Sequence, residues 1–210
     1  MRITSHSRGD TIIEVLFAIT VFSFLAISGM ALMNRGTALA QTALEIGLVR
    51  QQMDAQADAL RYLSHAYSID FGRNGEATQL WSDIVERHAV TFADKFNEIT
   101  DGTNCNVPQP GDPKRFTLDV LKMKLADQSG ERQPATYAQV RYDDAGGVPA
   151  RAEGIWIQAV ASPEVSIEVK GNSKTRSGFY DFHIRACWNS PGQSTPITLG
   201  TIVRLYEPRE

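Results

Sequence analysis

The chain has 210 residues, 42% of them hydrophobic, and a formal net charge of −3 with acidic and basic residues well mixed. This is enough chain to bury a sizeable core as one domain, with room for an appendage. The balance gives neither the basic face expected of a nucleic-acid binder nor the acidic tail of a disordered chain. The two cysteines, Cys105 and Cys187, are far apart and lie outside any CxxC or His-rich motif, which argues against a metal cluster.

The N-terminus carries the most information. Arg2 and Arg8 precede an apolar run from Thr11 to Met33 that is interrupted by one charge, Glu14. About 20 apolar residues span a bilayer as a helix, so the run is long enough, and the preceding arginines predict a cytoplasmic leader with the bulk of the chain outside. Three fates compete. A secretory signal would be cut after Ala38-Leu39-Ala40, before Gln41, but its apolar core is normally shorter than this one and does not carry acids such as Asp10 and Glu14 in its leading region. An uncut single-pass anchor carrying an outer binding domain leaves Glu14 unexplained, because an unpaired carboxylate costs roughly 2.5 to 3.5 kcal/mol at the membrane centre.

The third fate follows from the motif itself. Gly9-Asp10-Thr11-Ile12-Ile13-Glu14-Val15-Leu16, with glutamate five positions after glycine at the head of a membrane-length helix, resembles the class III signal of type IV prepilins and type II secretion pseudopilins. The resemblance covers about 25 residues. It implies that a prepilin peptidase cuts after Gly9, that Asp10 becomes the mature N-terminus and a site of N-methylation, and that Glu14 is the fifth mature residue. The freed ammonium on Asp10 and the Glu14 carboxylate are complementary charges in a low-dielectric setting. In the family that pair forms between neighbouring subunits, so Glu14 would set subunit registry. The implied partners are other pilin subunits in a helical filament, the peptidase, a membrane assembly platform with a cytoplasmic ATPase, and the bilayer before assembly. The subunit would sit in the cytoplasmic membrane with its C-terminal part outside, and then in an extracellular pilus or pseudopilus. The chain departs from the family at Asp10, where phenylalanine is usual, and its aspartate carboxylate competes for the new amine. The helix-kinking proline of many major pilins is also missing; position 31 is alanine, and Gly29 is the weakest point of the helix.

Beyond Met33 the pattern becomes amphipathic. Leu39, Ala43, Ile46, Met53, Ala57, Leu60 and Tyr67 recur at steps of three, four or seven, while Glu45, Gln51, Gln52, Asp54, Gln56 and Asp58 fall mostly on other faces. A helix from Thr11 to Tyr67 would be roughly 85 Å long at 1.5 Å per residue. Residues 1–9 read as leader, 10–33 as membrane and spine helix, 34–67 as its amphipathic continuation, 68–113 as a helical and loop connection, and 114–210 as sheet.

In the connection, Leu80, Trp81, Ile84, Val85, His88, Phe92 and Phe96 predict a second helix over Thr78–Asn97, with its aromatic residues and His88 packed in a core. The Gly-, Asn-, Asp- and Pro-containing stretch Thr100–Pro113 reads as a loop holding Cys105. From Phe116 onward the period changes to two, giving five or six strands centred on Leu118, Val140, Ile157, Ile167, Ile184 and Arg204, with turns at Gly146-Gly147, Ser162-Pro163, Gly171-Asn172 and Pro191-Gly192. The fold class is therefore α+β, an antiparallel sheet laid on a long N-terminal helix, the layout that the pilin resemblance also implies. A Cys105–Cys187 disulfide would close a loop of about 80 residues, worth on the order of 4 kcal/mol, with two unpaired buried thiols as the alternative.

The rest of the chain shows no HExxH, GxSxG or P-loop and no paired carboxylates, so no catalytic residue, metal site or cofactor is assigned. Asp143-Asp144 reads as a solvated turn rather than a calcium loop. Lys170-Gly171-Asn172-Ser173-Lys174-Thr175-Arg176 reads as a solvated hairpin tip, with contact to DNA or another anionic surface as the secondary reading. The functional expectation is a minor pilin or pseudopilin serving adhesion, motility, DNA uptake or secretion.

Overall fold

The computed structural model describes residues 10–69, 75–95, 98–109, 111–128, 136–142, 150–169 and 172–207. It is α+β, with a long N-terminal helix followed by a mixed, largely antiparallel sheet region. The chain divides into two compact units, Met1–Leu44 and Glu45–Glu210. Helix α1 spans Asp10–Ile69, 60 residues, and remains α-helical through Gly29 and Gly36. At both glycines an added Cβ would meet open space, so neither is there for close packing.

Within Glu45–Glu210, the α1 residues Val49, Met53, Ala57, Leu60 and Leu63 are buried in the main core, recurring at steps of three and four. Leu39 and Ala43, expected on the packed stripe, are exposed. Two residues expected on other faces are buried instead: Glu45 is 7% exposed and Gln56 is 0% exposed. Gln56 lies three residues after Met53 and four before Leu60, and Glu45 lies four before Val49, so helical phase places both on the core side whatever their polarity.

Helix α2, Glu76–Asp83, continues into one π-turn, Ile84–His88. The predicted second helix therefore exists but stops well short of Asn97. After His88 the chain turns extended, and β1, Ala89–Val90, pairs in parallel with Ala159–Val160. The β-branched Val90 and Thr91 suit that extended path better than a helix, and the sheet edge pairs with Ala89 and Val90. Phe92, expected in the core, is 83% exposed, while Trp81 and Ile84 are fully buried. Phe96 lies outside the described residues.

The remaining strands are β2 Leu118–Asp119, β3 Lys124–Leu125, β4 Asp127–Gln128, β5 Gln139–Arg141, β6 Arg151–Glu153, β7 Ile155–Ala161, β8 Glu164–Val169, β9 Asn172–Ser177, β10 Phe179–Trp188 and β11 Ile197–Tyr206. Every predicted strand segment contains a strand, but they do not form one antiparallel sheet. The main sheet has the order β1-β7-β10-β11, with β2-β3, β4-β6-β5 and β8-β9 forming smaller sheets. Strand β2 ends after two residues because the buried Asp119 carboxylate accepts from the Leu121 and Lys122 amides and starts a turn, which Met123 completes at φ 48°.

One face of the main sheet contributes Ile155, Ile157, Tyr180, Phe182, Ile184 and Trp188 to the core with α1. Trp81 meets the Phe182 ring at 5.6 Å and the Tyr180 ring edge-on at 6.3 Å. Alternation sends Trp156 and Cys187 to the opposite face, where they form a second buried cluster with Ile99, Cys105 and Val107.

Candidate functional site

The proposed registry site lies at the start of α1. Gly9 is outside the described residues; Asp10 is the first residue of the helix, and Glu14 stands one turn later. Glu14 is exposed, and so are the large apolar residues around it, including Ile12, Ile13, Val15, Leu16 and Phe17. Exposure continues through Phe22, Phe24, Leu25, Met30 and Met33, so the apolar surface covers every side of the helix rather than one stripe. A helix apolar all round is suited to lipid or to other helices, not to one-sided packing on a soluble core. This segment is long and apolar enough to cross a membrane.

The hydroxyls within it are matched to such surroundings. Thr20 Oγ1 donates to the Leu16 carbonyl at 2.7 Å and Ser23 Oγ to the Ile19 carbonyl at 2.8 Å, so neither needs water. Glu14 is the only charged residue between positions 12 and 33. A carboxylate has no donor to offer and needs a cation or N–H groups from another source.

Sequence reasoning missed the polar groups that fix α1 residues to the sheet within Glu45–Glu210. The Gln56 amide acts as a strand residue: Nε2 donates to the Leu118 carbonyl at 2.8 Å, and Oε1 accepts from the Leu118 amide at 2.9 Å. Both ends of this pairing are fully buried. Glu45 Oε2 accepts from the indole Nε1 of Trp188 at 3.0 Å, which supplies a partner for one carboxylate oxygen in the core. The signal was available in helical phase and was obscured by residue type.

The opposite face is held by Cys105 and Cys187, which are disulfide-bonded with a Cα–Cα separation of 5.7 Å. Nearby, Arg115 pairs with the Asp94 carboxylate, and the buried Arg185 donates from Nη2 to the Asp94 carbonyl at 2.6 Å. Burial pushes the Asp94 carboxyl up, but Arg115, with help from Gln158 and Arg185, outweighs it and holds it below the usual range. Arg204 forks onto Asp181 with two bonds of 2.7 Å, which lowers the Asp181 carboxyl. Burial, reinforced by Arg185, lowers His183. These are ties between elements, and none places a nucleophile beside a base.

His88, expected in the core, is only half-buried: its ring lies 5.3 Å from Phe116, and its Nδ1 faces the Pro113 carbonyl. Among the described residues there is no group of three or more His, Cys, Asp or Glu able to hold a metal ion. Asp143-Asp144 and Lys170-Gly171 lie outside the described residues. No family model, curated protein or solved structure matches the chain.

Proposed function

We propose that the chain is a subunit of a type IV pilus-like filament, of the minor pilin or pseudopilin kind, that works by assembly rather than by catalysis. The observation that carries the reading is Glu14, the only charge between positions 12 and 33, exposed on a helix that is apolar on every side. The Gly9-Asp10 junction five residues before it supplies the missing partner, because peptidase cleavage there creates an ammonium on Asp10. A carboxylate and an amine that are each costly alone in a low-dielectric setting offset much of that cost when paired. Pairing between neighbouring copies makes the cost of misregistry the selector of the correct position. The α+β layout, with a long N-terminal apolar helix followed by a sheet region, fits this role.

In this reading the apolar helix holds the subunit in the membrane until an ATPase-driven platform extracts it into a bundle of like helices. The extraction needs an external energy source and helical neighbours to replace lipid, because more than 20 residues of apolar surface at about 25 cal/mol per Å² cannot be given to water. The test is Glu14→Leu. It leaves insertion intact or improved, and it abolishes incorporation into filaments. Incorporation at the wild-type level refutes the registry role.

A further inference from the structure

Strands β7 and β10 pair with Gln158 opposite His183 and Ala161 opposite Tyr180, and β8 and β9 pair with Glu164 opposite Ser177 and Val169 opposite Asn172. The paired numbers have the same sum throughout, so β7-β8 and β9-β10 form one antiparallel ribbon with an unbroken register. The joint is at Ser162, whose amide donates to the Phe179 carbonyl at 3.0 Å and whose hydroxyl accepts from the Gly178 and Phe179 amides. On the sheet side of the joint the ribbon is flanked by β1 and β11. Beyond it, among the described residues, β8 and β9 have only each other. Six residue pairs therefore run on as a two-stranded arm of about 20 Å, and such an arm is marginal in water without a third strand.

Among the described residues the same chain carries a second unpaired edge, one that lacks the usual protection. Strand β11 is ten residues long, is the outermost strand of the main sheet, and has no charged residue and no proline from Ile197 to Val203. Its single cation, Arg204, is turned back onto Asp181 and lies 4.0 Å from the centre of the Phe179 ring. Natural edges of this length are normally blunted by charge, proline or a bulge.

The free backbone groups can be identified. Ile157 exchanges both of its backbone bonds with Phe116, so on the β10 side the exchanging pairs are its neighbours, such as Gln158 with His183. By alternation Ile184 turns towards β11 and bonds Thr201, which leaves Thr198, Gly200, Ile202, Arg204 and Tyr206 with amides and carbonyls facing outward. Along the arm the same alternation leaves the backbone groups of Val165, Ile167 and Val169 without a strand partner on the β8 edge among the described residues. The other edge belongs to β9. Each strand carries two charges, Glu164 and Glu168 on β8 and Lys174 and Arg176 on β9, and lysine is the type that most discourages strand addition.

We propose that the β8 edge of the arm adds to the β11 edge of a second copy of this chain, so that one copy's arm gains a third strand and the other copy's sheet is closed. The two surfaces differ, so each contact leaves a free arm on one copy and a free edge on the other, the condition for propagation. This link runs between sheets and is independent of cleavage at Gly9 and of Glu14.

The test uses the full chain in a neutral detergent, with protein mass measured by density-matched sedimentation equilibrium over a range of concentrations. One variant lacks the arm, with residues 165–176 replaced by an Asn-Gly turn. The other is Ile202→Pro, which removes an outward amide from an edge strand, where proline is tolerated. Thr198→Pro is a second blocked edge, and folding of each is checked by the absence of free thiol and by tryptophan emission. Wild type is expected to gain mass with concentration, and each variant alone to stay at one copy. An equal mixture of the two variants is expected to reach twice that mass and stop, because it contains one usable arm and one usable edge. The proposal is overturned if either variant alone associates like wild type, if the mixture stays at one copy, or if wild type does not associate. Association through the apolar helix would raise the mass of all samples equally and is one of the overturning results. The Glu14→Leu phenotype is unaffected by any of these outcomes, so the two readings fail separately.

Discussion

Replacing Gln56 with leucine removes both hydrogen bonds that the side chain makes to Leu118 and leaves the Leu118 amide and carbonyl without partners at a site that is 0% exposed. Each buried, unsatisfied backbone group costs about 1 to 3 kcal/mol, so the gross loss is about 2 to 6 kcal/mol. Leucine is close in size and apolar, which recovers part of it, and the net expectation is a loss of about 3 kcal/mol. For a domain of this size that lowers the unfolding midpoint by about 6 to 12 °C. The assay is thermal or urea unfolding of the full chain in detergent, followed through the buried Trp81, Trp156 and Trp188, with exposed Gln51→Leu as a control expected to stay within about 0.5 kcal/mol of wild type. Gln56→Glu adds a sign test. Its carboxylate can accept from the Leu118 amide but repels the carbonyl, so at neutral pH the variant is weak. As the pH falls towards the ordinary glutamate pKa of about 4.3, the protonated acid donates to that carbonyl and the deficit narrows. A Gln56→Leu protein within 0.5 kcal/mol of wild type would refute the clamp.

The disulfide closes a separation of 82 residues, so Cys105→Ser with Cys187→Ser should lose about 4 kcal/mol in urea unfolding; an unchanged midpoint, or thiol titration before reduction, contradicts the bond. His183 has a folded pKa below its unfolded value of about 6.5, so on acidification the unfolded chain takes up its proton first and stability falls from about pH 6.5 downward. His183→Gln should flatten that part of the curve. It should keep the further loss as the pH falls below about 3.8, where the lowered Asp94 and Asp181 carboxyls are protonated first in the unfolded chain. An unchanged slope between pH 6.5 and 5 contradicts the assignment.

The sequence made some elements legible because their signal is local. The composition of residues 11–33 marks an apolar helix, and the alternation of Tyr180, Phe182, Ile184 and Ala186 marks β10, the strand at the centre of the sheet. Other features depend on partners far along the chain. Val90 and Phe92 continue a helical spacing, yet Ala89–Val90 are drawn into an extended path by Ala159–Val160, some 70 residues later. The unbroken register from β7 into β8 is a property of pairing and has no counterpart in either strand alone. Gln56 and Glu45 stand in phase with Met53, Leu60 and Val49, so helical phase marks both for the core, while their polarity points the other way. The candidate assembly site shows the opposite balance. The Gly9 to Glu14 motif is read from sequence, and the structure contributes the exposure of Glu14 among apolar neighbours on every side.

The most direct test of the filament account is the N-terminal residue of the mature protein, by sequencing or intact mass. The account predicts Asp10, whether or not its amine is methylated. A chain that begins at Met1 or Arg2 would be an uncut anchor and one that begins at Gln41 a released domain, and either start contradicts the account.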